Sequence, residues 1–163
     1  MLVYSHTITQ LVSLFPYTGK FKSTLASYKF RKDVSVSGYF ANCLSKNWKQ
    51  FKNAVWVPVP PKPGKIKKQG WDQVDYLANL IKKKSQLPVR KILKRLPSRN
   101  QKELNRAERA ANLEGRIFCT GTAPETVVLF DDVITTGATI SSCAQALVKS
   151  GSKKIYAVCL FYD

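Results

Sequence analysis

Histidine is nearly absent from this chain: His6 is the only one among 163 residues. Ser-His-Asp catalysis and histidine-rich metal sites both need imidazoles among their working groups. A single one near the chain end gives either chemistry scant support. Cysteine is sparse and dispersed. Cys43, Cys119, Cys143 and Cys159 sit apart within apolar patterns, and no Cys-x-x-Cys pair occurs. A structural zinc site would have to be gathered from distant cysteines, whereas buried thiols in a reducing compartment need no such convergence. Nor does any apolar run approach the ~18 residues of a membrane span. Met1 to Phe15 has no Lys or Arg and carries His6 and Gln10, which is not the basic, apolar, small-residue order of a secretory signal. The expected compartment is the cytoplasm. With no internal repeat, 163 residues make one domain with a single substantial core.

Acidic residues are the other shortage. Lysine and arginine number 27 against 10 aspartates and glutamates, a net charge of +17. The excess is uneven: residues 1–100 hold 20 Lys/Arg against Asp33, Asp72 and Asp75, while residues 101–163 hold 7 of each sign. A polyanionic partner, nucleic acid first, is one reading of so basic a half; solvated helix faces or a phosphate-rich substrate is the other.

Where carboxylates do meet, they are adjacent, and the chain is organised around them. Val127 to Phe130 is a short β-branched and aromatic run that reads as a buried strand of a parallel sheet. Asp131 and Asp132 fall at its C-terminal end, the edge where open α/β sheets bind ligands. The turn Thr135-Thr136-Gly137-Ala138-Thr139 follows, and then a helical pattern at Ile140, Ala144, Leu147 and Val148. Helix N-terminal N–H groups beside small hydroxyl side chains make an anion site, most naturally for phosphate. Two carboxylates next to it suit a pair of sugar hydroxyls, so the implied ligand is a ribose 5-phosphate. The run resembles the 5-phosphoribosyl-1-pyrophosphate (PRPP) motif of the type I phosphoribosyltransferases: apolar strand, Asp-Asp, two apolar residues, Thr-Thr-Gly-x-Thr.

The rest of the chain is read around that motif. Phe15 to Gly19 is a turn. Lys20 to Lys32 has Phe21, Leu25 and Tyr28 at helical spacing with lysines between them, and Val36, Phe40, Cys43, Leu44, Trp48 and Phe51 continue as a second amphipathic helix. Ala54 to Val57 is a short strand. Pro58-Val59-Pro60-Pro61-Lys62-Pro63-Gly64 must leave the sheet, because proline cannot donate to a ladder. Lys65 to Gln73 opens a helix with Val74, Leu77, Ala78 and Ile81 inward, and Asp72 is its expected N-cap. Val89 to Leu96 is a strand, Pro97 to Gly115 a polar loop and then a helix with few apolar anchors, Phe118 the start of the return to the sheet, and Ile155 to Phe161 the final strand.

These pieces resemble, in order, the ComF-type proteins of bacterial DNA uptake. The residues concerned are Val57-Pro58-Val59-Pro60, Gly70-Trp71-Asp72-Gln73, Gln101 with Arg106 to Arg109, Asn112 to Gly115, and the Asp-Asp motif. The resemblance implies a type I phosphoribosyltransferase-like (Rossmann-like) α/β fold: a mostly parallel sheet flanked by helices, with residues 1–53 a helical hood-like part and 54–163 the PRPP-binding core. It implies Asp131 and Asp132 on the ribose hydroxyls, and Thr135, Thr136, Gly137, Ala138 and Thr139 on the 5-phosphate. Pro61 and Lys62 would lie on pyrophosphate, although a rigid proline linker explains the same residues. Arg99, Gln101, Lys102, Arg106 and Arg109 would belong to a mobile loop closing over pyrophosphate. Mg²⁺ would be held through PRPP and not by the protein directly. The implied activity is ribose 5-phosphate transfer to an unidentified acceptor; the alternative is PRPP sensing without turnover in a protein that handles single-stranded DNA and meets DNA-uptake proteins. Lys65, Lys67 and Lys68, with Lys20, Lys22, Lys29, Arg31 and Lys32, are the expected DNA contacts. Proteins of this group commonly begin with a four-cysteine zinc module; it is missing here, so the chain is either a short form or starts within a longer gene.

Overall fold

The computed structural model describes residues 7–47, 51, 53–97 and 116–163. Its centre is a parallel four-stranded sheet of β1 (Gln10–Pro16), β2 (Val55–Pro58), β5 (Thr126–Ile134) and β6 (Lys154–Tyr162), in the order β1-β6-β5-β2. A separate antiparallel pair joins β3 (Leu93–Arg95) to β4 (Ile117–Cys119). Among the described residues the helices are α1 (Gly19–Phe30), α2 (Ser37–Asn47), α3 (Lys65–Gln69), α4 (Gln73–Ser85) and α5 (Ala138–Lys149). The expected mostly parallel sheet flanked by helices is what forms, and among the described residues no helix is long and apolar enough to cross a membrane.

Two cores lie on the two faces of the sheet. Val128 and Phe130 point toward α1, α2 and α4, packing with Leu25, Tyr28, Phe40, Leu44, Leu77 and Ile81. Val127 and Leu129 point toward α5 and the β3–β4 pair, packing with Ile140, Cys143, Leu147 and Leu93. All four strand residues have no measurable exposure, which suits a central parallel strand covered on both faces. Each such side chain contributes about 1.5–3 kcal/mol of burial. The 3-10 turn Val34–Val36 precedes α2, and Asp33 caps it by accepting from the Ser35 N–H at 3.0 Å. That shortens the second amphipathic helix relative to its apolar pattern.

Two segments differ from the sequence reading. β1 precedes the expected turn and pairs in parallel with β6, from Gln10 opposite Tyr156 to Pro16 opposite Tyr162. An edge strand is half-buried on both faces and carries no clean alternation, so its pattern was not diagnostic. Val89–Leu96 is not one strand. Val89 makes an isolated parallel bridge to Trp56, and the chain then leaves the main sheet to pair Leu93–Arg95 with Ile117–Cys119. Phe118 therefore returns to this hairpin and not to the main sheet.

Candidate functional site

β2 stops pairing with β5 at Pro58 opposite Phe130, because the following prolines have no N–H to continue the ladder. Val59 closes it by donating its N–H to the Phe130 carbonyl at 2.9 Å. Beyond that point, among the described residues, β5 is paired only to β6, through Ile134 opposite Tyr162, and the two carboxylates stand where the β2 side opens. The Asp131 Oδ1 accepts the Asp132 N–H at 2.8 Å, and the Asp132 Oδ1 accepts the Val133 N–H at 2.7 Å. Here the alternation of the strand slips: Val133 packs with the face of Phe130, and Ile134 with the face of Leu129. The same slip occurs at Leu160–Phe161 on β6, so the strands crimp together.

The two aspartates go to different surroundings. Asp132 is 4% exposed. Its Oδ2 accepts from the Gln73 Nε2 at 2.6 Å and from the Lys29 Nζ at 2.9 Å. Gln73 is set by the start of α4, where Asp72 caps the helix by accepting from the Val74 and Asp75 N–H groups at 3.0 and 2.9 Å. The Lys65 ammonium sits 2.6 Å from Asp72 Oδ2 and also donates to the Gln73 side chain. The buried Tyr28 hydroxyl donates to the Gln73 carbonyl at 2.9 Å, and burial with the Asp132 charge nearby pushes that phenol far above its usual range. Trp71 packs edge-on against Tyr28 at 5.3 Å. The run Gly70-Trp71-Asp72-Gln73 is thus a stack, a cap and an amide aimed at the motif.

Asp131 is half-buried on the other side, within electrostatic reach of Arg95 and Cys143. Burial of its carboxyl and the Asp132 charge beside it raise its pKa well above the carboxylate range. Partial burial lowers the pKa of the Arg95 guanidinium, which the Asp131 charge opposes.

A small cup of about 50 Å³ lies against the turn, lined by Asp131, Thr135, Thr136, Gly137, Ala138 and Thr139. Gly137 is the N-cap of α5 with φ +75 and offers no side-chain cap, a left-handed backbone that suits glycine, while the Ala138 N–H donates to the Thr136 Oγ1 at 3.4 Å. A larger cleft of about 510 Å³ shares Asp131 and Thr139 with it and continues to Pro60, Pro61 and Lys62. Lys29, Lys65, Lys68 and Arg95 also line it. The structure thus brings together Asp131, the Thr135–Thr139 turn, Pro61 and Lys62. Arg99, Gln101, Lys102, Arg106 and Arg109 lie outside the described residues, as does His6.

Of the expected DNA contacts, Lys67 and Lys68 are exposed, while the Lys29 and Lys65 ammoniums are turned inward to Asp132 and Asp72. Three working groups were missed from sequence. Lys29 follows Tyr28 and lies four residues after Leu25, on the inner side of α1. Arg95 is two residues from the buried Leu93, on the same strand face. Gln73 directly follows the N-cap.

A parallel sheet between helices, with an acidic strand end and a Thr/Gly turn opening a helix, makes this an α/β protein. Its relatives are competence proteins. The chain is 28% identical over 144 residues to the competence protein ComFC of Streptococcus pneumoniae, covering 88% of this chain and 64% of that protein. It is 30% identical over 145 residues to ComFC of Bacillus subtilis, covering 85% and 58%. The chain therefore spans about three-fifths of the length of these relatives. The resemblance to ComF-type proteins read from the motifs is borne out. A 72-residue stretch is 38% identical to the ribose-phosphate pyrophosphokinase of Bacillus caldolyticus, 44% of this chain and 19% of that one. No family model matches the chain. Among solved structures, the purine phosphoribosyltransferase of Pyrococcus horikoshii aligns with TM-score 0.45 and 18% identity over 78% of this chain and 81% of its own.

Proposed function

We propose that this chain binds PRPP in the joined cup and cleft and transfers its ribose 5-phosphate group to an acceptor, in a role linked to bacterial competence. One observation carries the reading: Asp131 and Thr139 line both the cup at the helix N-terminus and the cationic cleft. A ligand with a phosphate at one end, a diol between and a diphosphate at the other matches that sequence of surfaces. The 5-phosphate is held by the first-turn N–H groups of α5 and the hydroxyls of Thr135, Thr136 and Thr139. Asp131 accepts from a ribose hydroxyl. Lys62, Lys68 and Arg95 meet the diphosphate, and Lys29, 25% exposed at its side chain, exchanges Asp132 for it, leaving Asp132 to the second hydroxyl.

Among the described residues no cluster of three or more His, Cys, Asp or Glu is placed to hold a metal. Asp131 is the carboxylate on the cleft, and Mg²⁺ commonly takes one or two carboxylates with substrate phosphate oxygens, so the donors fit an ion carried in with PRPP. Its contribution is to offset diphosphate charge. In the transfer, the bond from ribose C1 to the diphosphate oxygen breaks, pyrophosphate leaves with the electron pair, and the acceptor bond to C1 forms as the acceptor proton passes to solvent. The protein contributes positioning and charge: Asp131 opposes the positive ring charge, and the lysines stabilise the departing anion. Calorimetry with PRPP and Mg²⁺ tests binding, and pyrophosphate release across candidate amines and bases tests turnover. Absence of any PRPP heat at millimolar ligand would reject the site.

The second reading is PRPP sensing without turnover. It is favoured by the closed state of Asp132, whose Oδ2 already has two donors. PRPP binding without pyrophosphate release from any acceptor would select it.

A further inference from the structure

The Pro60–Pro63 run and α3 divide two concavities. Lys65, Lys68 and Gln69 face the main cleft, whereas Ile66 and Lys67 line a second hollow of about 330 Å³. We propose that this second hollow is a pocket for a free mononucleotide. Its own cations are Lys67, Lys91 and Lys94, with Lys62 and Arg95 shared with the main cleft, against a single carboxylate, Asp75. So lopsided a lining in a concave site attracts a compact anion such as a phosphate. Its other wall is apolar: Pro61, Pro63 and Ile66, the last 45% exposed, lie over the buried Pro58, Val59 and Leu93. A simple anion would gain nothing from that wall, whereas the base or sugar of a nucleotide would cover it.

The size points the same way. Small-ligand pockets run from about 300 to 1,000 Å³, so the hollow has room for one nucleotide and not for a strand. Asp75 holds the Lys91 ammonium at 2.6 Å, with both side chains partly exposed. It steadies that lysine at the pocket while offsetting part of the attraction for an anion. Lys67, Asp75 and Lys91 line this pocket, and none of them lines the main cleft.

The probe is 5′-AMP, titrated calorimetrically at low salt. Lys67→Gln/Lys91→Gln should weaken it at least about tenfold, the effect of losing one or more charge-assisted contacts. Asp75→Asn should tighten it by about threefold, because an opposing surface charge is removed. Asp131→Asn, which weakens any AMP held through its ribose 5-phosphate in the main cleft, should leave unchanged the component that Lys67→Gln/Lys91→Gln removes, which separates this pocket from the PRPP reading. Inorganic phosphate binding as tightly as AMP would overturn the nucleotide assignment. A pentathymidylate binding more than about tenfold tighter than AMP would make the hollow part of a strand-binding track, and so overturn the mononucleotide. No AMP binding, or loss in Asp131→Asn of the component that depends on Lys67 and Lys91, would overturn the pocket altogether.

Discussion

On the face of the sheet covered by α1, α2 and α4, Asp132 is 4% exposed and takes hydrogen bonds from Gln73, Lys29 and the Val133 N–H. On the face covered by α5, Asp131 stands half-buried at the cleft with its pKa raised by burial and by the Asp132 charge. The two residues are chemically identical and adjacent. The difference shows that a doubled motif residue can divide its labour: one carboxylate fastens two helices to the sheet edge, and the other is left costly and available. Strand geometry does this, because successive side chains point to opposite faces.

The sharpest way to break the comparison is to remove each carboxylate in turn. Asp132→Ala strands Lys29 and the Gln73 amide. Breaking a fully buried pair costs about 3–5 kcal/mol, and with the lysine partly exposed we expect roughly 2 kcal/mol. That is a fall in Tm of about 4–8 °C for a chain of this size, measurable by calorimetric melting. A melt unchanged by Asp132→Ala would remove the fastening role. Lys29→Met/Asp132→Leu should recover the part of the loss due to the stranded lysine, and leave the part due to the Gln73 amide.

Asp131→Ala should act on binding instead. Losing one charge-assisted hydrogen bond costs about 1.5–3 kcal/mol, or tenfold to a hundredfold in PRPP affinity, with no fall in Tm. If both substitutions weaken binding equally and both lower Tm, the two carboxylates are equivalent and the division is wrong.

A smaller effect separates them by pH. Because the folded pKa of Asp131 is raised, its contribution to stability is present below the unfolded pKa and is lost as pH rises through the folded value. Asp131→Asn should therefore melt above the parent protein at pH 8, and the gap should close toward pH 4. A constant gap across that range would mean that Asp131 does not carry the shift.

The smallest expected effect concerns the basic half. If single-stranded DNA binds through exposed lysines, Lys67→Gln/Lys68→Gln should lower the salt slope of binding by about 1.4. Lys65→Gln should leave it unchanged, since Asp72 holds that ammonium. Fluorescence anisotropy over a salt series reads both, and an equal drop for Lys65→Gln would show that the inward pairing yields to DNA.

Much of this was legible before any coordinates. The buried strand at Val127–Phe130, the cap at Asp72 and the helix after Gly137 follow from local rules: an unbroken β-branched run, a side chain suited to N-capping, and a glycine free to take positive φ. The strand β1 was not legible, because its residues are only half-buried and no periodicity marks them. The break of Val89–Leu96 into a bridge and a hairpin was hidden as well, since pairing partners are chosen across the chain and not along it.

The sequence by itself determined that the Asp-Asp pair and the Thr/Gly turn stand together at the end of one strand, because they are contiguous and their order sets their spacing. Only the tertiary structure decided how their chemistry is shared out. Lys29 reaches Asp132 from a helix more than a hundred residues earlier, and Gln73 reaches it across 59 positions. Arg95 arrives at the cleft through a hairpin outside the main sheet. The charge state and availability of a carboxylate depend on the donors and the burial around it, and these are set by packing between distant segments.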